Sequence, residues 1–253
     1  MNFESRVALI TGAGSEGGIG REIARQLSKK GAEVILSDIN EDGLQTGIRE
    51  IEDLGGIAHS ITMDVTNKKS VQQGVKEITE NLGKIDILVN NAGVSRPTNV
   101  TEISEDEWDL VFNVNMKGVF FLTQAVLPYM EEKNYGRIVN LGSVSGKRGG
   151  GIFGGSHYSA AKAGVTGFTK AVAREAAKYQ ITCNSVAPGL VGGTEITSGL
   201  LTDEKKKAIQ NDIPLGRVGK VEDIAYSIAF LVSEEAGYIT GEELDINGGS
   251  HID

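Results

Sequence analysis

Short apolar runs alternate along this chain with longer stretches in which apolar residues recur at helical spacing. Val7-Ala8-Leu9-Ile10 reads as a buried strand, and Arg21 to Lys30 as a helix with Ile23 and Leu27 on one face. Val34-Ile35-Leu36 is the second strand. Glu41 to Leu54 is helical and stops at Gly55-Gly56, since glycine readily adopts the backbone turn that ends a helix. Ile57 to Met63 predicts a third strand, Asn67 to Leu82 a helix and Ile85 to Val89 a fourth strand. The second half keeps the rhythm. A long helix covers roughly Glu105 to Met130 despite Gly118 and with Pro128 near its end. After it come a strand over Arg137 to Leu141, a helix over Tyr158 to Lys178 and a strand over Ile181 to Val186. A helix over Val221 to Val232 and a short strand over Glu243 to Ile246 complete the pattern. Near-continuous apolar strands between helices imply a parallel sheet covered on both faces. No linker or low-complexity segment divides the 253 residues. The pattern predicts one doubly wound α/β domain over 1–253, a Rossmann-type fold of seven strands, with a substrate loop around 190–215.

Composition narrows the function classes. A net charge of −9 argues against nucleic acid as a partner, because phosphate binders present basic surfaces. The basic runs, such as Lys205-Lys206-Lys207, are short enough to be solvated helix faces. The single cysteine, Cys183, excludes an internal disulfide, agrees with a reducing compartment and is read as core filling. The first residues lack a leader pattern and no apolar run approaches a membrane span, so a cytoplasmic protein without membrane contact is expected. No metal is called for.

The candidate chemistry begins at the first strand, which runs into Thr11-Gly12-Ala13-Gly14-Ser15-Glu16-Gly17-Gly18-Ile19-Gly20 and then a helix. Glycines let the backbone come close to a dinucleotide pyrophosphate, and a helix N-terminus offers N–H groups and a favourable dipole. Asp38 ends the second strand, where an acid binds adenosine ribose hydroxyls and repels the extra phosphate of NADP. Tyr158 and Lys162 are four apart (162 − 158) on one helix face. A phenol titrates near ~10, so it serves as a base at neutral pH only if a cation stabilises its phenolate, and a lysine one turn away supplies that cation. Ser143 comes after the fifth strand and can donate a hydrogen bond to a carbonyl oxygen; Ser145 is the alternative.

These residues resemble the short-chain dehydrogenase/reductase family over essentially the full length. The resemblance rests on Thr11-Gly12 with Gly18-Ile19-Gly20, Asp64-Val65, Asn90-Asn91-Ala92-Gly93 and Asn115. It continues through Ser143, Tyr158 with Lys162, Pro188-Gly189, Ile239-Thr240-Gly241 and Asn247-Gly248-Gly249. It implies Asn115, Ser143, Tyr158 and Lys162 as the catalytic set. It further implies a cofactor held by Gly12, Ser15, Gly18, Ile19, Gly20, Asp38 and Ile39, then by Asp64, Val65, Asn91, Ala92, Val191 and Thr194, with Tyr158 and Lys162 on the nicotinamide ribose. Asn115 would hold a water beside Lys162, or simply kink a helix. Asn90 would tie neighbouring strands. His157 would either line the substrate pocket or pack inside.

Three spacings depart from the family's usual pattern. Gly12 to Gly18 is six positions (18 − 12), Ser143 to Tyr158 fifteen (158 − 143) and Pro188 to Thr194 six (194 − 188), each longer than usual. The second places extra length in Lys147 to Gly155, which should border the substrate.

The leading expectation is an NAD-dependent oxidoreductase interconverting a small secondary alcohol and a ketone, assembled as a homotetramer, with NADP the less favoured cofactor. The resemblance also admits an NADPH-dependent 3-oxoacyl-carrier-protein reductase, suggested by Ile213-Pro214-Leu215-Gly216-Arg217, and a non-catalytic dinucleotide-binding protein. Carrier-protein reductases resemble one another in offering docking arginines where this chain has Asn134 and Tyr179, so a carrier-borne substrate is not the first expectation. The loop from Gly192 to Asn211, with Glu195 and Thr197, is expected to cover a polar substrate.

Overall fold

A computed structural model describes residues 1–150, 154–194, 207 and 209–253. Its strands are β1 (Val7–Thr11), β2 (Glu33–Asp38), β3 (Ile57–Thr62), β4 (Ile87–Asn90), β5 (Gly136–Leu141), β6 (Ile181–Pro188) and β7 (Glu243–Ile246). They form one seven-stranded sheet in the order β3-β2-β1-β4-β5-β6-β7, and every pairing is parallel. Parallel strands need crossovers, and the helices that supply them cover both faces.

One face of the sheet packs Ile23, Ala24 and Leu27 of α1 (Ile19–Ser28), Leu44 and Ile51 of α2 (Glu41–Glu52), and Ile224 and Ile228 of the C-terminal helix over Val221–Leu231. The other packs Val71 and Val75 of α3 (Lys68–Leu82), Leu122, Val126 and Met130 of α5 (Gly118–Lys133), and Val172 and Ala173 of α7 (Ser156–Ala176). Cys183 lies in this second core, fully buried, with its thiol pushed up to about 12 by burial.

The long helix departs from the sequence pattern. It is α4 (Glu105–Phe112), a π-helical turn over Asn113–Lys117, and then α5, which passes Pro128 and closes at Asn134 in left-handed conformation (φ 49°). A π turn inserts a residue into the ladder and rotates the helix beyond it, a device frequent at functional sites. Joined, Glu105–Lys133 spans 29 residues with mean hydropathy 1.4 over its most apolar window, of which 39% is buried. By length and composition alone this one helix reaches what a membrane crossing needs, a test that a core helix packed on a sheet also passes. A second departure is α6 (Val144–Arg148), a five-residue helix absent from the sequence pattern. With α1 to α7 so placed, the C-terminal helix is α8 (Val221–Leu231).

Strand order reverses between β1 and β4, both continuing from the same central position. Such a switch point opens a crevice at the carboxyl ends of the strands, and the glycine turn, Asn91, Ser143 and Gly189 all emerge there.

Candidate active site

Two glycines of the turn are required by close approach. A Cβ on Gly12, whose φ is +66°, would lie 2.8 Å from the Ala92 Cα, and one on Gly20 would lie 2.6 Å from the Gly12 carbonyl oxygen. Thr11 and Asn91 lock the turn against the end of β4. The Thr11 hydroxyl oxygen accepts from the N–H groups of Asn91 and Ala92, both at 3.1 Å. The Asn91 amide donates to the Thr11 and Gly12 carbonyls at 2.9 and 3.0 Å. Thus the Asn91 side chain shapes the cradle. Ser15 closes the lengthened part of the turn, its carbonyl accepting from Gly18 N–H at 3.1 Å. Gly18 caps α1 without any side-chain cap, so no side chain satisfies the first N–H groups of the helix, which begin with Ile19. An uncapped helix end behind a cradle with no room for side chains fits a pyrophosphate.

Asp38 stands at the end of β2. Its Oδ2 accepts from Gly14 N–H at 2.9 Å, and its Oδ1 from Ile39 and Asn40 N–H at 2.8 and 3.1 Å. Gly14 has its own reason to be glycine, since a Cβ there would lie 2.8 Å from the Asp38 Cγ. Ile39 beside it is 72% exposed, an apolar side chain free for an adenine face. Asp64 is exposed and accepts from Thr66, and Val65 is buried beneath Gly118. These four residues lie outside the reaction cavity, towards the β2–β3 side.

The cavity itself holds about 330 Å³ and is lined by Ile19, Asn91, Ser143, Tyr158, Lys162, Val191 and Thr194 among others. Ser143 caps α6, and its Oγ accepts from Ser145 N–H at 3.1 Å, which leaves its proton to give elsewhere. It is hydrogen-bonded to the Tyr158 hydroxyl. Ser145 lines the same cavity without that contact. The Tyr158 phenol is held above its ordinary value by burial, opposed by the Ser143 hydrogen bond. The Lys162 ammonium donates to the Leu141 carbonyl at 2.6 Å and sits 5.7 Å from the Tyr158 ring centre. Burial lowers its pKa to about 8. Burial thus favours the neutral phenol, a group that can donate its proton, and the Lys162 ammonium beside it is the cation that would stabilise the phenolate as that proton leaves.

Asn115 lies in the π turn, fully buried, with its Nδ2 donating to the Val94 and Val111 carbonyls, both at 2.8 Å. Its Oδ1 is buried without a partner. A Cβ on Gly93 would meet that oxygen at 2.9 Å and the Lys162 Nζ at 3.6 Å, so both groups converge beside Gly93. A buried acceptor aimed at an ammonium is a place for a bridging water. Asn90 ties β4 to β5 through Asn140 at 2.7 Å. His157 does not line the cavity. It is fully buried beside Glu107, with its Nε2 3.2 Å from the carboxylate. Gly151, Ile152, Phe153, Glu195 and Thr197 lie outside the described residues.

Two residues escaped the sequence reading. Arg21 is buried, and its guanidinium donates to the carbonyls of Ala13 (2.9 Å), Gly14 (3.1 Å) and Gly43 (2.5 Å), pinning the glycine turn to α2. The only sequence signal was a charge on the core face of α1. Gly154 presses on the Tyr158 ring, where an added Cβ would lie 2.5 Å from Cδ1.

A family model described as enoyl-(acyl carrier protein) reductase matches residues 12–251. A 3-oxoacyl-(acyl-carrier-protein) reductase FabG of Vibrio cholerae is 44% identical over 252 residues, 100% of each chain. The protein of that name from Escherichia coli K12 is 42% identical over 253 residues, again 100% of each chain. That of Thermotoga maritima is 42% identical over 249 residues, 98% of this chain and 99% of the relative. The chain belongs to the short-chain dehydrogenase/reductase family.

Proposed function

We propose, with that membership as premise, that the chain reduces the 3-oxo group of an acyl compound to a secondary alcohol, with NAD as its preferred dinucleotide. The carrying observation is the hydrogen-bonded Ser143–Tyr158 pair, with Lys162 beside it, at the mouth of a dinucleotide cradle. The bound dinucleotide would supply the hydride. Ser143 and Tyr158 then hold the substrate oxygen from two sides, and the buried phenol gives its proton to that oxygen as negative charge develops. Lys162 keeps a positive charge beside the phenol as the proton leaves. Asn115 would link Lys162 to a replacement proton.

Two hydroxyls converging on one oxygen suit a carbonyl rather than a carbon–carbon double bond. This favours the reaction in the relatives' name over the one in the family model's description. The relatives also shift weight toward the acyl reading that the sequence alone ranked second. NAD is preferred because Asp38 holds a carboxylate where NADP would bring a phosphate.

The test is reduction of a 3-oxoacyl thioester with NADH and NADPH in parallel. At least roughly tenfold preference for NADH is expected, about 1.4 kcal/mol, and Asp38→Ala should relax it. Equal efficiency would sink the cofactor assignment. No turnover of the thioester or of the free 3-oxo acid, with turnover of simple ketones, would sink the acyl reading.

A further inference from the structure

The cavity that holds Ser143, Tyr158 and Lys162 is lined as well by Ser145, Arg148, Asp212 and Ser250, and Arg148 contacts Ser250 there. Arg148 is the last residue of α6, and Lys147 beside it behaves differently. Lys147 is nearly buried (side chain 11% exposed) and its ammonium takes Asp245 at 2.8 Å and Asp253 at 2.6 Å, with Glu243 at 4.0 Å. These carboxylates lie on β7 and the tail beyond it, so the clasp fixes α6 against the C-terminal residues.

Arg148 is exposed and donates one hydrogen bond, to the Ser250 carbonyl at 3.1 Å. Among the described residues no carboxylate lies within ion-pair distance of it. Asp212 lines the same cavity but is not paired with it. The guanidinium fork is thus anchored at one corner, with donors left over in the cavity. It lies five positions beyond Ser143 (148 − 143), about 7.5 Å of helix rise, a separation that a substrate two bonds longer than its carbonyl can help to span. The lengthened Lys147 to Gly155 segment, where the chain departs from its family's usual spacing, begins here.

We propose that Arg148 is a specificity residue that binds a carboxylate carried by the substrate close to its reacting carbonyl. Resting on the reading above, this narrows the 3-oxoacyl compound to a short ionised 3-oxo acid. Its carboxylate is two bonds from the reacting carbon, whereas a thioester is neutral at that position. Planar, bidentate donation to a carboxylate is what a guanidinium does best.

The test compares 3-oxobutyrate with its uncharged methyl ester, using the full chain and NADH. The wild type should prefer the ion. Arg148→Ala should lower kcat/KM for the ion by about tenfold to a hundredfold, mostly through KM, and bring the ion-to-ester ratio toward unity. Arg148→Lys should restore part of the preference, and Asp212→Ala should not reduce it. An equal loss on ion and ester, or a wild type that prefers the ester, overturns the inference and leaves the 3-oxo reading standing. So does a 3-oxoacyl-carrier protein turned over far better than either and unaffected by Arg148→Ala. Turnover of none of the three overturns the 3-oxo reading and this inference together.

Discussion

At the residue scale the two titratable groups of the site are pulled in opposite directions by one cause. Burial favours the neutral form of each, so the Tyr158 phenol rises and Lys162 falls to about 8. Below about pH 8 the lysine is charged and the tyrosine protonated, the pairing that reduction requires. Above it the lysine loses its charge first. The rate of reduction should therefore fall as pH rises through about 8, and Tyr158→Phe should remove more than nine-tenths of turnover while NADH binding persists. A pH–rate profile and a fluorescence titration of NADH check both. A flat profile from pH 7 to 10 would mean that Lys162 does not titrate in this range. Ser143, Tyr158 and Lys162 were legible because their chemistry is written in residue type and spacing. The direction of the Tyr158 shift was not, because desolvation depends on the walls, and Gly154 is one of them. Asn91 was legible as a site residue but not in its role, since only the fold brings its amide to the Thr11 and Gly12 carbonyls.

At the element scale, strands were easy to read because the central ones, such as β1, β4 and β6, are runs buried on both sides, and all seven lie within a few residues of the pattern. Helix α6 was not readable. Five residues carry no period, and the helix exists because Ser143 caps it and Gly149, with φ +75°, ends it. The π turn was equally hidden, since apolar spacing tolerates one extra residue in a long helix. Between elements, Arg21 joins α1, the glycine turn and α2 with three hydrogen bonds to carbonyls, so the cradle's shape depends on a side chain that never faces the dinucleotide. Arg21→Met keeps the length and removes the donors, leaving buried carbonyls unpaired. The expected result is a loss of about 2–4 kcal/mol in denaturant unfolding and roughly tenfold weaker NADH binding, about 1.4 kcal/mol. Undiminished cofactor affinity would show that the turn holds its form without α2.

At the scale of the whole molecule, charge and shape bear on what the chain associates with. Asn134 and Tyr179 lie at the N-terminal ends of β5 and β6, the opposite end of the sheet from Tyr158. An acidic carrier docked there would not reach the cavity of the same chain, and a net charge of −9 gives it little electrostatic reason to dock. Two other faces look better suited to partners. On the joined helix and α7, Phe120 is 38% exposed and meets Phe168 edge-on at 6.4 Å between ring centres, while Trp108 is 42% exposed. Past the edge strand β7, Leu215 is 70% and Ile252 80% exposed, and Tyr226 and Phe230 of α8 are 54% and 39% exposed. Other exposed apolar side chains, such as Ile57 and Tyr238, lie elsewhere, but these two sets sit on different elements, as two independent self-pairing surfaces require. Two isologous contacts with different two-fold axes close into a tetramer, whereas either one alone stops at a dimer. Light scattering at micromolar concentration should therefore report four chain masses. Phe120→Glu should reduce this to two by breaking the helical face while β7 and α8 still pair. A monomeric wild type would overturn the assembly outright. A variant that remains four-fold would show that the helical face is not one of its contacts.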